Sequence, residues 1–448
     1  MKIFNEWLLR FEKPNWSSNP EFGLIDTILE RHPYLIAMLK GEIIGKEPEN
    51  NFGRKDTPTV EQIIRSAIFK EMKGYDYREL AFAQIDSRIC EKFIKLDNRE
   101  PYSFQVFQKY ISRISVESLH KMLVEINKIA ITEGFEDMSK LRIDSTVVKS
   151  NIHYPTNNSL VWDCIRVSCD LLEKLKAEIE GFTYMDYSKI AKKVYFQINV
   201  TKSGDKRIDL FNKQLITFTK VINQVSNGIK KKANIITAMV IQLQLEELLP
   251  VMYQIYDVTY RKELQGEQVP NDDKLFSIFE RHTDIIIKGS REVQFGHKVN
   301  LATGRSNLIL DIDTVIGNPS DKGLYQSTIE RVVENYSKVP QDIATDGGYA
   351  SLDNLKFGQK AGIVNIVFNK IVGSLQNKVS SKSIETRLKK WRSGIEANIS
   401  NWKRGFNISV CNWKGWAHFQ SKVLWSTLAY NFRVLTNIML NKLKAETV

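Results

Sequence analysis

Three acidic residues occupy positions from which they could act together on a phosphate group. Asp144 lies inside Leu141–Val148, a run rich in β-branched residues that is typical of a strand. Asp346 comes just before two glycines, at the end of a second predicted strand, and Glu396 lies on a predicted helix near the C-terminus. An acid within a buried strand is costly unless a partner or a metal ion compensates it, so Asp144 especially indicates a functional site.

Carboxylates grouped in this way suit Mg²⁺, with Mn²⁺ as an alternative, because hard cations prefer oxygen ligands. Two such ions, about 3.5–4 Å apart, can activate an attacking oxygen and stabilise a leaving oxygen. We therefore predict Asp144, Asp346 and Glu396 as catalytic and metal-binding residues, with two ions. Taken singly, each acid also fits an ordinary solvated group. Asp321 follows a turn, and we interpret it as a helix cap rather than a fourth metal ligand.

Basic side chains flank Glu396 on its predicted helix. Arg392, Glu396 and Lys403 are spaced by four and seven residues, so they share one helical face. The two bases could bind the DNA backbone beside the metal site, although an Arg–Glu pair four residues apart is also common on helix surfaces. The residues that we predict to bind DNA are Arg392, Lys403, Arg404, Lys389, Lys390 and Trp402.

The positive charge of the chain is concentrated in one segment. The net charge is +12, and Leu355–Val448 holds 16 Lys or Arg against three acids, so the remainder sums to −1. A basic segment of this kind indicates a polyanion such as DNA, although a solvated basic face without a partner gives the same pattern. Four tryptophans interleave with these bases, and they could stack on nucleotides or fill the core, where we expect at least two of them: Trp391, Trp402, Trp413 and Trp416.

A sheet and several helices must position these residues. Outside residues 150–292, the predicted order is strand, hairpin of two strands, helix, strand, helix, strand, helix. This is the order expected of an RNase H-like α/β fold. The hairpin strands are Phe295–Ala302 and Leu308–Ile316, joined by a turn at Gly304–Asn307. The last long helices are predicted at Lys382–Arg404 and Trp416–Leu443.

We predict four regions along the chain. Residues 1–56 form an N-terminal helical arm and linker, with a polar stretch at 45–51. Residues 57–135 form an all-α DNA-binding domain, whose first helix begins with a Thr59–Gln62 capping box and ends at Gly74. Residues 136–155 and 291–448 form the catalytic domain. Residues 156–290 form a large helical insertion, which is tolerable because the free energy of loop closure grows only slowly with length.

Several classes of protein are disfavoured by composition. There is no apolar run of about 18 residues that would span a membrane, and the N-terminus lacks a secretory signal pattern. We therefore expect a cytoplasmic protein, associated with the nucleoid through DNA. The four cysteines are scattered, which indicates reduced thiols rather than a disulfide framework or a zinc site: Cys90, Cys164, Cys169 and Cys411.

At these residues the sequence resembles DDE-type transposases of bacterial insertion sequences. Ile143-Asp144-Ser145-Thr146 resembles the strand that carries the first Asp of that family. Ala344-Thr345-Asp346-Gly347-Gly348-Tyr349 resembles its second-Asp motif, commonly Asp, then Gly or Arg, then Gly and Tyr. Farther along, the chain matches the Arg, Glu and Lys of the signature Tyr-x2-Arg-x3-Glu-x6-Lys at Arg392, Glu396 and Lys403. The Tyr position of that signature is Lys389 here.

The resemblance covers roughly residues 57–155 and 290–435. Thr59–Leu96 resembles the helical N-terminal domain of such transposases, and Phe295–Val299 resembles the second strand of their core. The layout is most similar to the "not classified yet" group of insertion sequences.

The resemblance implies a transposase that uses divalent metal ions to cut DNA and join it to a target. The implied partners are double-stranded DNA, at the element ends and at the target, and a second copy of the chain in a homodimer. Two alternatives stay open at this point. One is a DNA-binding protein or decayed transposase that does not cut, and the other is a metal-dependent nuclease without strand transfer.

Overall fold

The computed structural model describes residues 19–44, 57–97, 99–202, 204–287, 292–371 and 373–447. The chain divides into two units: Met1–Lys149 with Gly296–Val448, and Ser150–Phe295. The polar stretch 45–51, interpreted as a linker, lies outside the described residues.

In chain order, the strands are β1 (Lys140–Ser150), β2 (Asp284–Ile286), β3 (Gln294–Thr303), β4 (Ile309–Val315), β5 (Asp342–Asp346), β6 (Asn365–Asn369) and β7 (Val410–Cys411). In chain order, the helices are α1 (Pro20–Arg31), α2 (Tyr34–Ala37), α3 (Lys40–Ile44), α4 (Val60–Lys73), α5 (Tyr77–Asp86), α6 (Arg88–Phe93), α7 (Phe104–Ile111), α8 (Val116–Thr132), α9 (Asn157–Glu178), α10 (Ser188–Val200), α11 (Asp205–Ile229), α12 (Ile236–Thr259), α13 (Asp321–Tyr336), α14 (Leu352–Lys360), α15 (Lys382–Gly405) and α16 (Trp416–Thr447).

Helices α1 to α8 form the N-terminal part of the first unit. The Gln62 N–H donates to the Thr59 hydroxyl at 3.1 Å, and the Thr59 N–H donates to the Gln62 side chain at 2.9 Å. This is the predicted capping box, and Gly74, at φ 70°, ends helix α4 in the left-handed conformation that glycine favours. Apolar faces of these helices join the same buried core as the sheet. A separate DNA-binding role for residues 57–135 stays a prediction.

The sheet of the first unit mixes antiparallel and parallel pairs. Strand β3 lies between β4 and β1, and it is antiparallel to both. Strand β5 is parallel to β1, and β6 is parallel to β5. A hairpin beside parallel strands, with helices packed against the sheet, is compatible with the predicted α/β RNase H-like core.

The hairpin and the long helices lie close to their predicted bounds. Strands β3 and β4 differ from the predicted ranges by a residue or so, and the turn between them carries Asn307 at φ 73°, a conformation that Asn tolerates. Helix α15 begins after Ser381, whose hydroxyl accepts from the Ile384 N–H, and it packs on β5 and β6. Helix α16 packs against α1, α4 and α8, which explains its many buried apolar positions.

The second unit, Ser150–Phe295, is built mainly from α9 to α12. These helices surround a core of their own, in which apolar side chains recur at helical spacing. The predicted helical character of this stretch is observed, except that β2 and the irregular residues 265–283 carry no α-helix. The four cysteines of the chain are buried free thiols. Within the described ranges, no helix combines the length and apolarity that a membrane span requires.

Candidate active site

The register of the parallel strands places two of the predicted acids side by side. Ile143 in β1 is paired with Thr345 in β5, and the next residue on each strand is an aspartate. Paired residues on neighbouring strands point to the same face of a sheet. Asp144 and Asp346 each come directly after one member of this pair, so their side chains also share a face. The two carboxylates, about 200 residues apart in sequence, are thus neighbours because of the sheet pairing.

The chain after Asp346 leaves the sheet through a tight passage. A side chain at Gly347 would place its Cβ 2.4 Å from the carbonyl oxygen of Lys370, well inside the contact distance. Glycine is therefore required here for steric reasons. The close approach leaves Asp346 at the exposed end of its strand.

The guanidinium of Arg392 contacts all three predicted acids. Its Nη2 lies 2.7 Å from Asp144 Oδ2 and 3.8 Å from Asp346 Oδ1, and its Nη1 lies 3.0 Å from Glu396 Oε1. The Arg392 side chain is only 6% exposed, and its Nε has no hydrogen-bond partner among the described residues. The structure therefore brings the three acids to one cation.

The three acids differ in how firmly the protein holds them. Asp144 is 16% exposed, and its Oδ1 also accepts the Ser145 N–H at 2.8 Å. Asp346 is 44% exposed and Glu396 is 68% exposed. The site is therefore closed on the β1 side and open to solvent on the side of helix α15.

Arg142 fixes helix α15 to the strand that carries Asp144. Its Nη1 donates to the carbonyl oxygen of Trp391 at 2.8 Å, its Nε donates to Thr303 Oγ1 at 2.9 Å, and the guanidinium lies 4.8 Å from the Trp391 ring centroid. A Cβ at Gly394 would lie 2.5 Å from Arg142 Nη1, so a small residue is needed at this crossing. Burial lowers the pKa of Arg142 to about 10, which still leaves it charged at neutral pH.

Asp321 lies beside the site and is not a helix cap, which corrects the interpretation made from the sequence. Ser320 is the N-cap position of α13, and the Asp321 Oδ1 accepts from Lys298 Nζ at 3.0 Å and from Ser145 Oγ at 3.1 Å. Burial, together with the charges of Asp321 and Asp144, raises the pKa of Tyr349 well above its usual range. Sequence reasoning missed Ser145 and Lys298 as neighbours of the site, although both belong to quoted motifs.

The predicted DNA-binding residues are divided between engaged and exposed side chains. Arg392 is engaged by the acids, and Lys403 Nζ donates to the carbonyl oxygen of Val147 at 2.7 Å. Lys389 Nζ lies 2.7 Å from Glu385, on an exposed part of the helix. The two others, Lys390 and Arg404, have exposed side chains.

The structure corrects the prediction that Trp402 contacts DNA. Its side chain is 0% exposed and belongs to the main hydrophobic core, so no nucleotide can stack on it in this conformation. Trp413 and Trp416 are partly buried and pack against the same core, and Trp391 packs beside β5 and β6. Burial of the face that carries Trp402 anchors α15, while Glu396 lies on an exposed part of the same helix.

The donor types of the site fit a hard divalent cation, but their arrangement holds a guanidinium instead. All three acids offer carboxylate oxygens, the ligands that Mg²⁺ prefers. Within the described part of the chain, no three Asp, Glu, His or Cys side chains are grouped closely enough to hold one metal ion. The Arg392 guanidinium lies among the three acids at the distances given above, and its presence accounts for the separation of their carboxylates.

Comparison with protein families finds a match that overlaps part of this site. Residues 278–432 match the family model described as the transposase DDE domain. The match confirms the resemblance to DDE-type transposases that the sequence predicts. It includes Asp346 and Glu396 but not Asp144, which the sheet joins to them. Searches of curated proteins and of solved structures gave no significant match.

Proposed function

We propose that the protein is a transposase that cuts DNA at the ends of an insertion sequence and joins the ends to target DNA. The observation that carries this proposal is the meeting of Asp144, Asp346 and Glu396 at Arg392, with two of these acids inside a matched transposase DDE domain. Three acids that meet from two neighbouring strands and a facing helix indicate this function more specifically than any one acid does.

In the proposed reaction, the oxygen of a water molecule attacks the phosphorus of a phosphodiester at the element end. The bond from phosphorus to the 3′ oxygen breaks, and that oxygen leaves as a 3′-hydroxyl. The hydroxyl then attacks a target phosphodiester and displaces a target 3′-hydroxyl, so no covalent bond to the protein forms. Divalent ions, Mg²⁺ or Mn²⁺, would be held by Asp144, Asp346 and Glu396, and they supply activation of the attacking oxygen and stabilisation of the leaving one.

The residues of this chain would orient the DNA and fix the acids. Asp144 and Asp346 are set by the strand register, and Arg142 sets the position of helix α15. Exposed bases of α15, including Lys390 and Arg404, are available to phosphates, with Lys389 beside them. Such contacts position a duplex without reading its sequence.

We assign recognition of the element ends to residues 57–135, where a helix would enter the major groove. Synapsis of two ends favours a homodimer in the DNA complex, and the DNA partner favours association with the nucleoid. The 136–155 and 291–448 segments form the catalytic domain in this proposal, with 156–290 as the insertion.

The test is a cleavage and strand-transfer assay on duplexes that carry the flanking element ends, with Mg²⁺, using the full chain and Asp144→Ala. Cleavage and joining by the wild-type chain, both lost in the variant, support the proposal. Cleavage without joining would indicate a nuclease instead. Specific binding with no cleavage in either Mg²⁺ or Mn²⁺ would indicate a DNA-binding protein that does not cut.

A further inference from the structure

Arg392 occupies the position that a shared cation would take among the three acids. Two of its nitrogens are within 3.0 Å of carboxylate oxygens, and a third carboxylate lies 3.8 Å away. Three carboxylates around one guanidinium leave two negative charges uncompensated within this group. The group therefore attracts further positive charge while its best-placed oxygen atoms are already bonded to Arg392.

The guanidinium of Arg392 donates hydrogen bonds to Asp144 and Glu396, the acids that a metal ion would also need. Its bonds at the site are to the carboxylates, and its buried Nε donates to none of the described residues. A buried donor without a partner is unfavourable by about 1–3 kcal/mol. This penalty favours a side-chain conformation in which Nε has an acceptor. The backbone of its helix is fixed separately, through Arg142 at Trp391. The guanidinium can thus move without shifting α15.

We propose that Arg392 is an internal counter-ion that competes with divalent metal for the three acids and is drawn away by DNA. In the DNA-free protein, its guanidinium bridges Asp144 and Glu396 and keeps the acids together. A DNA phosphate at the open side of the site offers the two-point acceptor that a guanidinium prefers. When Arg392 turns to that phosphate, the carboxylate oxygens become free for metal. This inference rests on the proposed function, in which DNA and divalent ions are the partners.

Removal of the Arg392 guanidinium is expected to strengthen metal binding rather than weaken it. Arg392→Gln in the DNA-free full-length protein should tighten Mn²⁺ binding by about tenfold, a size typical of coupling between competing ligands. Arg392→Lys should lie between the two, because it keeps the charge but loses the fork that bonds two carboxylates. Mn²⁺ binding is measured by electron paramagnetic resonance of the free ion and by calorimetry.

The matched control is Arg387→Gln, which removes the same residue type from the exposed surface of the same helix. If Arg387→Gln tightens Mn²⁺ binding as much as Arg392→Gln, general charge accounts for the effect and direct competition is refuted. Weaker or unchanged binding in Arg392→Gln would also overturn the inference, because it would make Arg392 a support of the metal site. Circular dichroism and thermal melting verify that each variant is folded.

A second arm tests the exchange with DNA. Addition of a duplex of arbitrary sequence should tighten Mn²⁺ binding by the wild-type chain, and it should have a much smaller effect on Arg392→Gln. Equal effects of DNA on both proteins would contradict the exchange.

Asp144→Asn and Asp346→Asn separate failure of this inference from failure of the proposed function. If both variants bind Mn²⁺ as well as the wild type, the acids are not the metal site and the proposed function loses its basis. If both lose Mn²⁺ binding while Arg392→Gln fails to tighten it, only the counter-ion role is wrong.

Discussion

The strand-borne acids and the helix-borne acid of the site are held by different kinds of structure. Asp144 and Asp346 follow a paired position of two parallel strands, so hydrogen bonds of the sheet fix their separation. Glu396 stands on α15, is 68% exposed, and is tied to the site through Arg392. The two strand-borne acids therefore form a rigid half of the site, which is fixed by the strand register. Glu396 forms an adjustable half, which is positioned by the packing of α15.

The largest effect is expected from the rigid half. Asp346→Asn, like Asp144→Asn, should reduce cleavage about a thousandfold or more, because a lost metal ligand removes several kcal/mol of transition-state stabilisation. DNA affinity should stay the same or rise slightly, since a negative charge near phosphates is removed. Cleavage rates and fluorescence anisotropy with a labelled duplex measure the two quantities. Near wild-type cutting by Asp346→Asn would show that Asp346 is not a ligand.

Changes of side-chain length test which of the two halves of the site is more rigid. Glu396→Asp should lower cleavage by up to about a hundredfold, the size expected for a displacement of about 1 Å in a reacting group. Asp144→Glu should be more damaging, because the longer side chain must fit on a fixed strand at a position where Asp144 is largely buried. The two rates, measured in the same assay, give the ranking. A reversed order would mean that the helix, rather than the sheet, is the more rigid part.

The packing of the adjustable half can be perturbed directly. Gly394→Ala would bring a Cβ to 2.5 Å from Arg142 Nη1, so we expect cleavage to fall about tenfold and the free energy of unfolding to fall by about 1–3 kcal/mol. Gly323→Ala in α13 is the control, because its Cβ would meet no atom within 4 Å. Chemical denaturation and cleavage rates compare the two. If both alanine variants have the same cleavage rate and the same free energy of unfolding, the packing at the α15 crossing determines neither quantity.

The smallest effect is expected from a base at the edge of the site. Lys403→Ala should weaken binding to specific and scrambled duplexes about equally, and it should lower the salt slope by roughly one unit. Loss of the bond to the Val147 carbonyl should also destabilise the fold by about 1 kcal/mol. Binding across a salt series, with thermal melting, tests both. A loss confined to the specific duplex would contradict a backbone-contact role.

Local sequence patterns were sufficient for the elements that carry the site. The β-branched run around Asp144, the turn at Gly304–Asn307 and the start of α15 at Lys382 each have a local physical cause, and each appears near its predicted place. The three candidate acids could be named because their types and order resemble a family.

Contacts between distant segments could not be predicted from those patterns. The bond from Arg142 to Trp391 joins residues almost 250 positions apart, and nothing local to either residue indicates it. The bases that adjoin Trp402 in sequence predict a DNA contact, whereas the helix turns its side chain into the core. Asp321 follows a turn and so fits a cap, yet its carboxylate accepts a hydrogen bond from Lys298 on β3.

The pairing of β1 with β5 also has a consequence during synthesis. Asp144 leaves the ribosome about 200 residues before Asp346, a delay of about 10–40 s at usual rates of translation, and Glu396 follows later still. Until then, β1 lacks the neighbouring strand that completes the pair of aspartates. In the proposed function, a nascent or prematurely terminated chain that ends before α15 would carry the N-terminal helices but not the full set of acids. Such a chain could occupy DNA without cutting it.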